Sequence, residues 1–258
     1  MDAAQRARLD NHAVQAHIIL AKSSAEGEIE QNNRYVLGYT GAVLPTHNFF
    51  IPLTLAGLTD ETLADASAFF RSRNTMYAVS LEEHRVPDGT EYLSKRRYQP
   101  LPPQPVMACT HLPAEAIQQN NLRIKHVETV PGMTALYSVL EAVFDYSTDE
   151  VMLLFPASQI GQEEIRHYVG YTPEGRPVTI GTAICADKAV SVWNLSTLDN
   201  FRRRGYATLL LNKILSDAAQ KGCDLSLIYT TPMGFSLANN LGFKLHALRQ
   251  WFLPQEIG

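Results

Sequence analysis

What this sequence lacks narrows its identity before any motif is read. No run of 18 apolar residues occurs anywhere in its 258 residues, which argues against a membrane-spanning helix. Residues 1–12 are polar, so no secretory signal is expected at the start. An excess of basic charge is missing too: 22 Lys and Arg stand against 26 Asp and Glu, a net charge of −4. No global positive field favours nucleic acid or an anionic membrane, and neither is expected as a partner. Cysteine is scarce. Cys109, Cys185 and Cys223 lie far apart with no Cys-x-x-Cys, which leaves neither a disulfide framework nor a zinc site and points to a reducing, cytoplasmic setting. No metal is expected. What is present is an ordinary apolar content, 45%, with length for one large domain or two small ones.

The densest pattern is Ala189 to Gly222. A β-rich run (Val190, Val192, Trp193, Leu195, Thr197) feeds the basic turn Phe201-Arg202-Arg203-Arg204-Gly205-Tyr206-Ala207. Apolar residues then recur at Ala207, Leu210, Leu211, Ile214, Leu215 and Ala218, while Thr208, Asn212, Lys213, Asp217 and Gln220 are expected to face away. Gly222 suits the helix stop. A strand, a Gly-bearing turn and a helix N-terminus make an anion site, because unpaired N–H groups and the helix dipole point the same way.

The spacing Arg202-x-x-Gly205-x-Ala207 resembles the acetyl-CoA loop of the GNAT acetyltransferase superfamily. Leu225 to Gly234 and Leu237-Ala-Asn-Asn-Leu-Gly-Phe243 look like that family's fifth strand and its Leu-Tyr-x-x-Leu-Gly-Phe segment. The fold class implied is α/β (α+β), with a GNAT acyl-CoA N-acyltransferase fold in the second half and a degenerate GNAT-like half before it. Tyr92 to Tyr98, Asn48-Phe49 and Phe69-Phe70-Arg71 carry a fainter likeness to the first half of two-domain members. An unrelated α/β domain is the plainer reading of that half. The implied division is 1–111, shaping the acceptor side, a linker at 112–121, and a cofactor domain at 122–258.

Along the chain, helices are expected at 3–22, from Asp60 to about Arg73, at 90–97 and at 133–144. Strands are expected at 34–40, 42–50, 76–81, 106–110, 122–127, 165–171 and 178–185. Residues 26–33 read as a polar break, and Leu112 to Asn121 as a patternless, Pro-containing linker.

The resemblance implies an acetyl-CoA-dependent N-acetyltransferase. Its pyrophosphate would be held by backbone N–H groups of Arg203, Arg204, Gly205, Tyr206 and Ala207, with Thr208 as a hydroxyl donor and Arg202 opening the motif. The pantetheine arm would lie along Asn194 to Leu198, with Leu195, Ser196, Thr197 and Leu198 as contacts and an N–H near Leu195 polarising the thioester. A base is needed for the acceptor amine. Glu141, Asp145, Glu163 and Glu164 are candidates by position, and His167 by its place on a strand; each also has a plain structural reading. The family's thiolate-protonating Tyr is here Ala238, so Ser236, Tyr229 or water would have to substitute. The acceptor is expected to be a small-molecule amine or a peptide, and the chain a monomer or homodimer. A non-catalytic acyl-CoA sensor is the alternative reading.

Overall fold

The computed structural model describes residues 1–255, so the last three residues of the 122–258 range lie outside it. In chain order the elements are α1 (Ala3–Ser23), β1 (Glu28–Gln31), β2 (Tyr35–Tyr39), β3 (Phe49–Pro52), α2 (Asp60–Arg71), β4 (Ala78–Glu82), α3 (Gly89–Lys95), β5 (Gln99–Pro100) and β6 (Gln104–Cys109). The second half continues with β7 (Arg123–His126), α4 (Val130–Phe144), α5 (Thr148–Leu154), β8 (Ile165–Tyr171), β9 (Pro177–Ala186), β10 (Ala189–Thr197), α6 (Tyr206–Gln220), β11 (Leu225–Tyr229), α7 (Pro232–Asn240) and β12 (Lys244–Leu253).

One sheet runs through both halves in the order β1-β2-β3-β4-β12-β6-β11-β10-β9-β8-β7, with β5 beside β12. The two halves repeat a plan. An antiparallel meander (β1-β2-β3, then β8-β9-β10) is followed by a helical crossover to a parallel strand, β3-α2-β4 and β10-α6-β11. Each half then has a helix, α3 or α7, and a closing strand, β6 or β12. The closing strands are exchanged: β6 pairs with β11 of the second half, β12 pairs with β4 of the first, and β6 and β12 pair with each other.

Helix α1 lies across this junction. Its capping box, Asp2 with Gln5, starts it. Val14 and Ile18 pack on Val36, Phe49 and Ile51 of the first half. Ala16 and Ile19 pack on Ile165 and Ile184 of the second. Each of these Val and Ile side chains removed from water contributes about 1.5–3 kcal/mol. Helices α4 and α5 cover β8 and β9 through Leu136, Leu140 and Val151. On the opposite face α2 and α3 bury Phe70 and Leu93 against Phe50 and Val79, and α6 and α7 bury Leu210, Ile214 and Ala238 against Val190 and Ile228.

Four sequence expectations are corrected. Residues 42–50 are not one strand: a 3-10 turn at Pro45–His47 precedes β3. The buried Asn48 amide sets that turn, its Oδ1 accepting from Thr40 N at 3.0 Å and its Nδ2 donating to Ala42 O at 2.7 Å. The polar stretch 26–33 contains β1, an exposed edge strand with no apolar alternation to show it. Helix α5 was not expected, although Ser147 and Glu150 form its capping box at 3.2 and 3.0 Å. Asn212 does not face solvent: its Oδ1 accepts from Ile117 N at 2.7 Å, because the segment joining the halves runs over α6.

Candidate functional site

Strand β10 carries the site. It pairs in parallel with β11 from Ala189↔Leu225 to Val192↔Ile228 and no further. Beyond that rung the strands part, because Asn194 adopts a left-handed conformation (φ 53°) and bulges β10 between Trp193 and Ser196. The edge of β10 facing β11 is thus without a strand partner over Trp193–Thr197. At the parting point the rings of Trp193 and Tyr229 meet, centroids 4.8 Å apart.

The turn after β10 is held rigid by two of its arginines. Arg202 Nε donates to Thr197 O at 3.1 Å and its Nη2 pairs with Asp199 at 2.7 Å. Arg204 Nη2 donates to Asn200 O at 3.1 Å. Arg203 and Gly205 both have positive φ, 62° and 79°; the second is cheap only for glycine. No side chain caps α6, and its first i→i−4 bond is Leu209 N to Gly205 O at 3.0 Å. Backbone N–H groups of Arg203, Arg204 and Gly205 meet no protein acceptor among the described residues, and those of Tyr206, Ala207 and Thr208 precede that first bond. A Cβ built on Gly205 would have nothing within 4 Å. Six N–H groups therefore lack a protein acceptor among the described residues, at the positive end of a 15-residue helix.

The turn and the parting strands share a cleft of about 1140 Å³. Leu195, Ser196, Thr197, Arg202, Arg203, Gly205, Tyr206, Ala207 and Thr208 all line it. Leu198 does not; it packs inward beside α4 and Tyr206. Arg204 does not either, being turned to Asn200. The far wall comes from both halves: Thr40, His47 and Phe49 from the first, Phe144 and Phe155 from the second. Burial pushes His47 down to about 4, so it is neutral at pH 7.

The catalytic candidates divide. Tyr229 lines the cleft. Its hydroxyl is buried with no hydrogen-bond partner, and burial pushes it up to about 12 against the opposing Arg249 charge. His167 is not brought to the cleft: it is 2% exposed, with Nδ1 bonded to Thr182 Oγ1 at 2.9 Å and Nε2 to Gln159 Oε1 at 2.8 Å. Burial takes it to about 3. Both nitrogens are used inside the fold. Ser236 is exposed on α7 and does not itself line the cleft, although Gly234 and Leu237 beside it do. Ala238 is 0% exposed and packs into the α6–α7 core. Of the carboxylates, Glu163, Glu164 and Asp145 are exposed and Glu141 is partly so; none lines the cleft.

Sequence reasoning missed a cluster behind Tyr229. Arg249 of β12 lies with its guanidinium 3.6 Å from the Tyr229 ring centre and 3.0 Å from His17 Nε2. Because the arginine can only donate, His17 Nε2 accepts and its Nδ1 donates to Ala13 O at 2.6 Å. Burial, then the arginine charge, holds His17 well below its ordinary value. One signal was legible: an alternating strand puts Arg249 on the same face as Ala247 and Trp251. Outside the cleft, Asp10 Oδ1 bonds His246 Nε2 at 2.8 Å and His84 Nε2 at 3.1 Å.

The fold is a mixed α/β one of the GNAT architecture, with a bulged strand, a turn of amides without protein acceptors and parted parallel strands. Residues 135–234 match the Acetyltransferase (GNAT) family. A GCN5-related N-acetyltransferase from Kribbella flavida superposes with a TM-score of 0.73 at 16% identity, over 96% of this chain and 95% of that one. Another, from Sphaerobacter thermophilus, gives 0.60 at 15% identity, over 87% of this chain and 81% of that one. At such identities the likeness is one of fold. A search of curated proteins returns no significant match. Among the described residues no helix is long and apolar enough to cross a membrane.

Proposed function

We propose that this chain is a cytoplasmic acetyl-CoA-dependent N-acetyltransferase, monomeric or homodimeric, acting on an amine small molecule or peptide. The observation that carries the reading is one continuous cleft joining the unpaired edge of β10 to the turn residues Arg203 and Gly205 to Thr208, whose N–H groups meet no protein acceptor among the described residues. The Arg203–Thr208 amides suit a pyrophosphate, and the β10 edge from Asn194 to Thr197 suits an arm that pairs as a strand does. When bound, acetyl-CoA supplies the activated acetyl thioester. Tyr229 keeps its proton at neutral pH and stands where β10 and β11 part; its unpartnered hydroxyl, covered by protein here, serves as proton donor to a leaving sulfur in place of the missing phenol at 238 once the ring turns it into the cleft. Residues 1–111 supply the opposite wall through Thr40, His47 and Phe49 and shape the acceptor side.

The sensor reading has one observation in its favour, the buried methyl of Ala238. Gly205→Asp tests the cofactor site, since it adds a strained φ and a negative charge in front of the donors. Calorimetry should show CoA binding weakened at least tenfold, about 1.4 kcal/mol. Equal binding by both proteins refutes the site. Thiol release from acetyl-CoA with an amine panel separates enzyme from sensor.

A further inference from the structure

Arg249 is an arginine without a proper partner. It is 2% exposed yet contributes to the wall of the cleft. Nη1 donates to His17, a neutral acceptor. Nε is buried without a hydrogen-bond partner, its nearest carboxylate oxygen being Glu82 Oε1 at 3.9 Å. Nη2 has no protein acceptor among the described residues. Glu82 does not neutralise the group by itself, because it is shared with Arg85, 3.7 Å from its other oxygen. Two guanidinium groups and one carboxylate leave the cluster with one unmatched positive charge.

A charge removed from water is costly unless paired and hydrogen-bonded. Stacking on Tyr229 at 3.6 Å and on Trp251 at 5.5 Å offsets part of this. It leaves donors pointing at nothing. A void of about 10 Å³ behind the arginine, lined by Ser80 and Glu82, is the size of one water. That water would serve Nε and Glu82, and it would not cancel the charge.

Position excludes the cofactor phosphates as the missing partner. Arg249 touches the Tyr229 ring at the point where the strands part. From Trp193 to Thr197, β10 advances about 13 Å at ~3.3 Å per residue, and the amide-rich turn lies beyond that. The group that reaches Arg249 is therefore on the acceptor. A guanidinium with open donors recognises a carboxylate in the strongest way available to a side chain. The rings of Trp193, Tyr229 and Trp251 around it are apolar walls.

We propose that Arg249 anchors a carboxylate of the acceptor, so that the amine acetylated by this protein is an α-amino acid with an apolar or aromatic side chain. This inference rests on the acetyltransfer reading for the fate of the amine, but not for the binding of the carboxylate. The test uses matched pairs on the full chain, with and without CoA: phenylalanine and phenethylamine, tryptophan and tryptamine, leucine and isoamylamine. Calorimetry should find the carboxylate member of each pair at least tenfold tighter. In Arg249→Met, and in Arg249→Lys should the first variant unfold early, that preference should shrink to threefold or less. Wild-type protein that binds the amines as tightly as the amino acids, or binds no amino acid at millimolar concentration, overturns the proposal. Selective binding of amino acids without acetylation of any keeps the Arg249 anchor and counts against acetyltransfer. Acetylation of the amines but not the amino acids does the reverse.

Discussion

Trp193 and Tyr229 stand one residue past the last rung of the β10–β11 pairing, their ring centroids 4.8 Å apart. Both rings line the cleft at the point where the strands stop pairing. The pair also separates two roles of Tyr229. Its ring packs; its hydroxyl, buried and without a partner, does not.

Tyr229→Phe therefore keeps the packing and removes the proton. Thermal unfolding should move by no more than a degree or two, since no protein hydrogen bond is lost. Turnover of any confirmed acceptor should fall by about 10²-fold, the lower end of what general-acid help is worth. A full-rate Phe variant would assign the sulfur proton to water.

Acid should destabilise this protein well before its carboxylates titrate. His12 and His47 are pushed by burial to about 4, His167 to about 3, and His17 is lowered in the same direction. In the unfolded chain each takes a proton near pH 6.5; in the folded chain it refuses one until far lower. Between those values the unfolded state binds more protons, so stability falls as pH drops below 6.5, by up to about 1.4 kcal/mol per pH unit for each histidine. Above pH 7 the contribution is flat. Urea midpoints from pH 7.5 to 4.5 should show this, and His167→Gln should flatten the slope. A midpoint constant over that range would mean the rings are hydrated.

The parts of this structure that were legible are those written by neighbours in sequence. Gly222 and Gly242 end α6 and α7 in positive φ, and the N–H groups of Cys223 and Phe243 return to Ala218 O and Ala238 O at 3.0 and 3.1 Å. That is why a Leu-Gly-Phe segment can be read as a helix stop followed by a buried anchor. Gly205 and the three–four spacing of α6 are equally local. Asn212 and Arg249 were not legible in the same way, because what buries them, the Ile117 segment and α1 with Tyr229, lies far off in the chain. His167 misled although its partners are near in the chain: its strand position was right, but only strand register and the turn before β8 set Thr182 and Gln159 against its ring. The exchange of β6 and β12 leaves no local trace at all.

Ala238→Tyr is the substitution that would restore the family's phenol, and the structure argues against a gain. The methyl group is fully buried between α6 and α7. Forcing a ring into a packed site costs about 1–3 kcal/mol, which at this size lowers the unfolding temperature by roughly 2–4 °C per kcal/mol. Differential scanning fluorimetry should show a loss of several degrees with no rise in kcat. A stable variant with faster turnover would mean that α7 can swing its phenol into the cleft.

The exchanged strands make a sharper prediction about the halves. Cutting between residues 115 and 116 leaves β6 in the first fragment and β11 and β12 in the second. In the intact sheet β6 lies between β11 and β12, and β12 lies between β6 and β4. Each fragment alone therefore carries an unpaired apolar strand edge, an aggregation hazard, and α1 loses one of the two surfaces it covers. Residues 116–258 keep the entire anion turn, yet they should not form a stable CoA-binding domain on their own. Expressed together, the fragments should associate, run as one species on gel filtration and recover CoA affinity. A monomeric, folded 116–258 fragment that binds CoA as the full chain does would show that β11 and β12 can close on each other without β6.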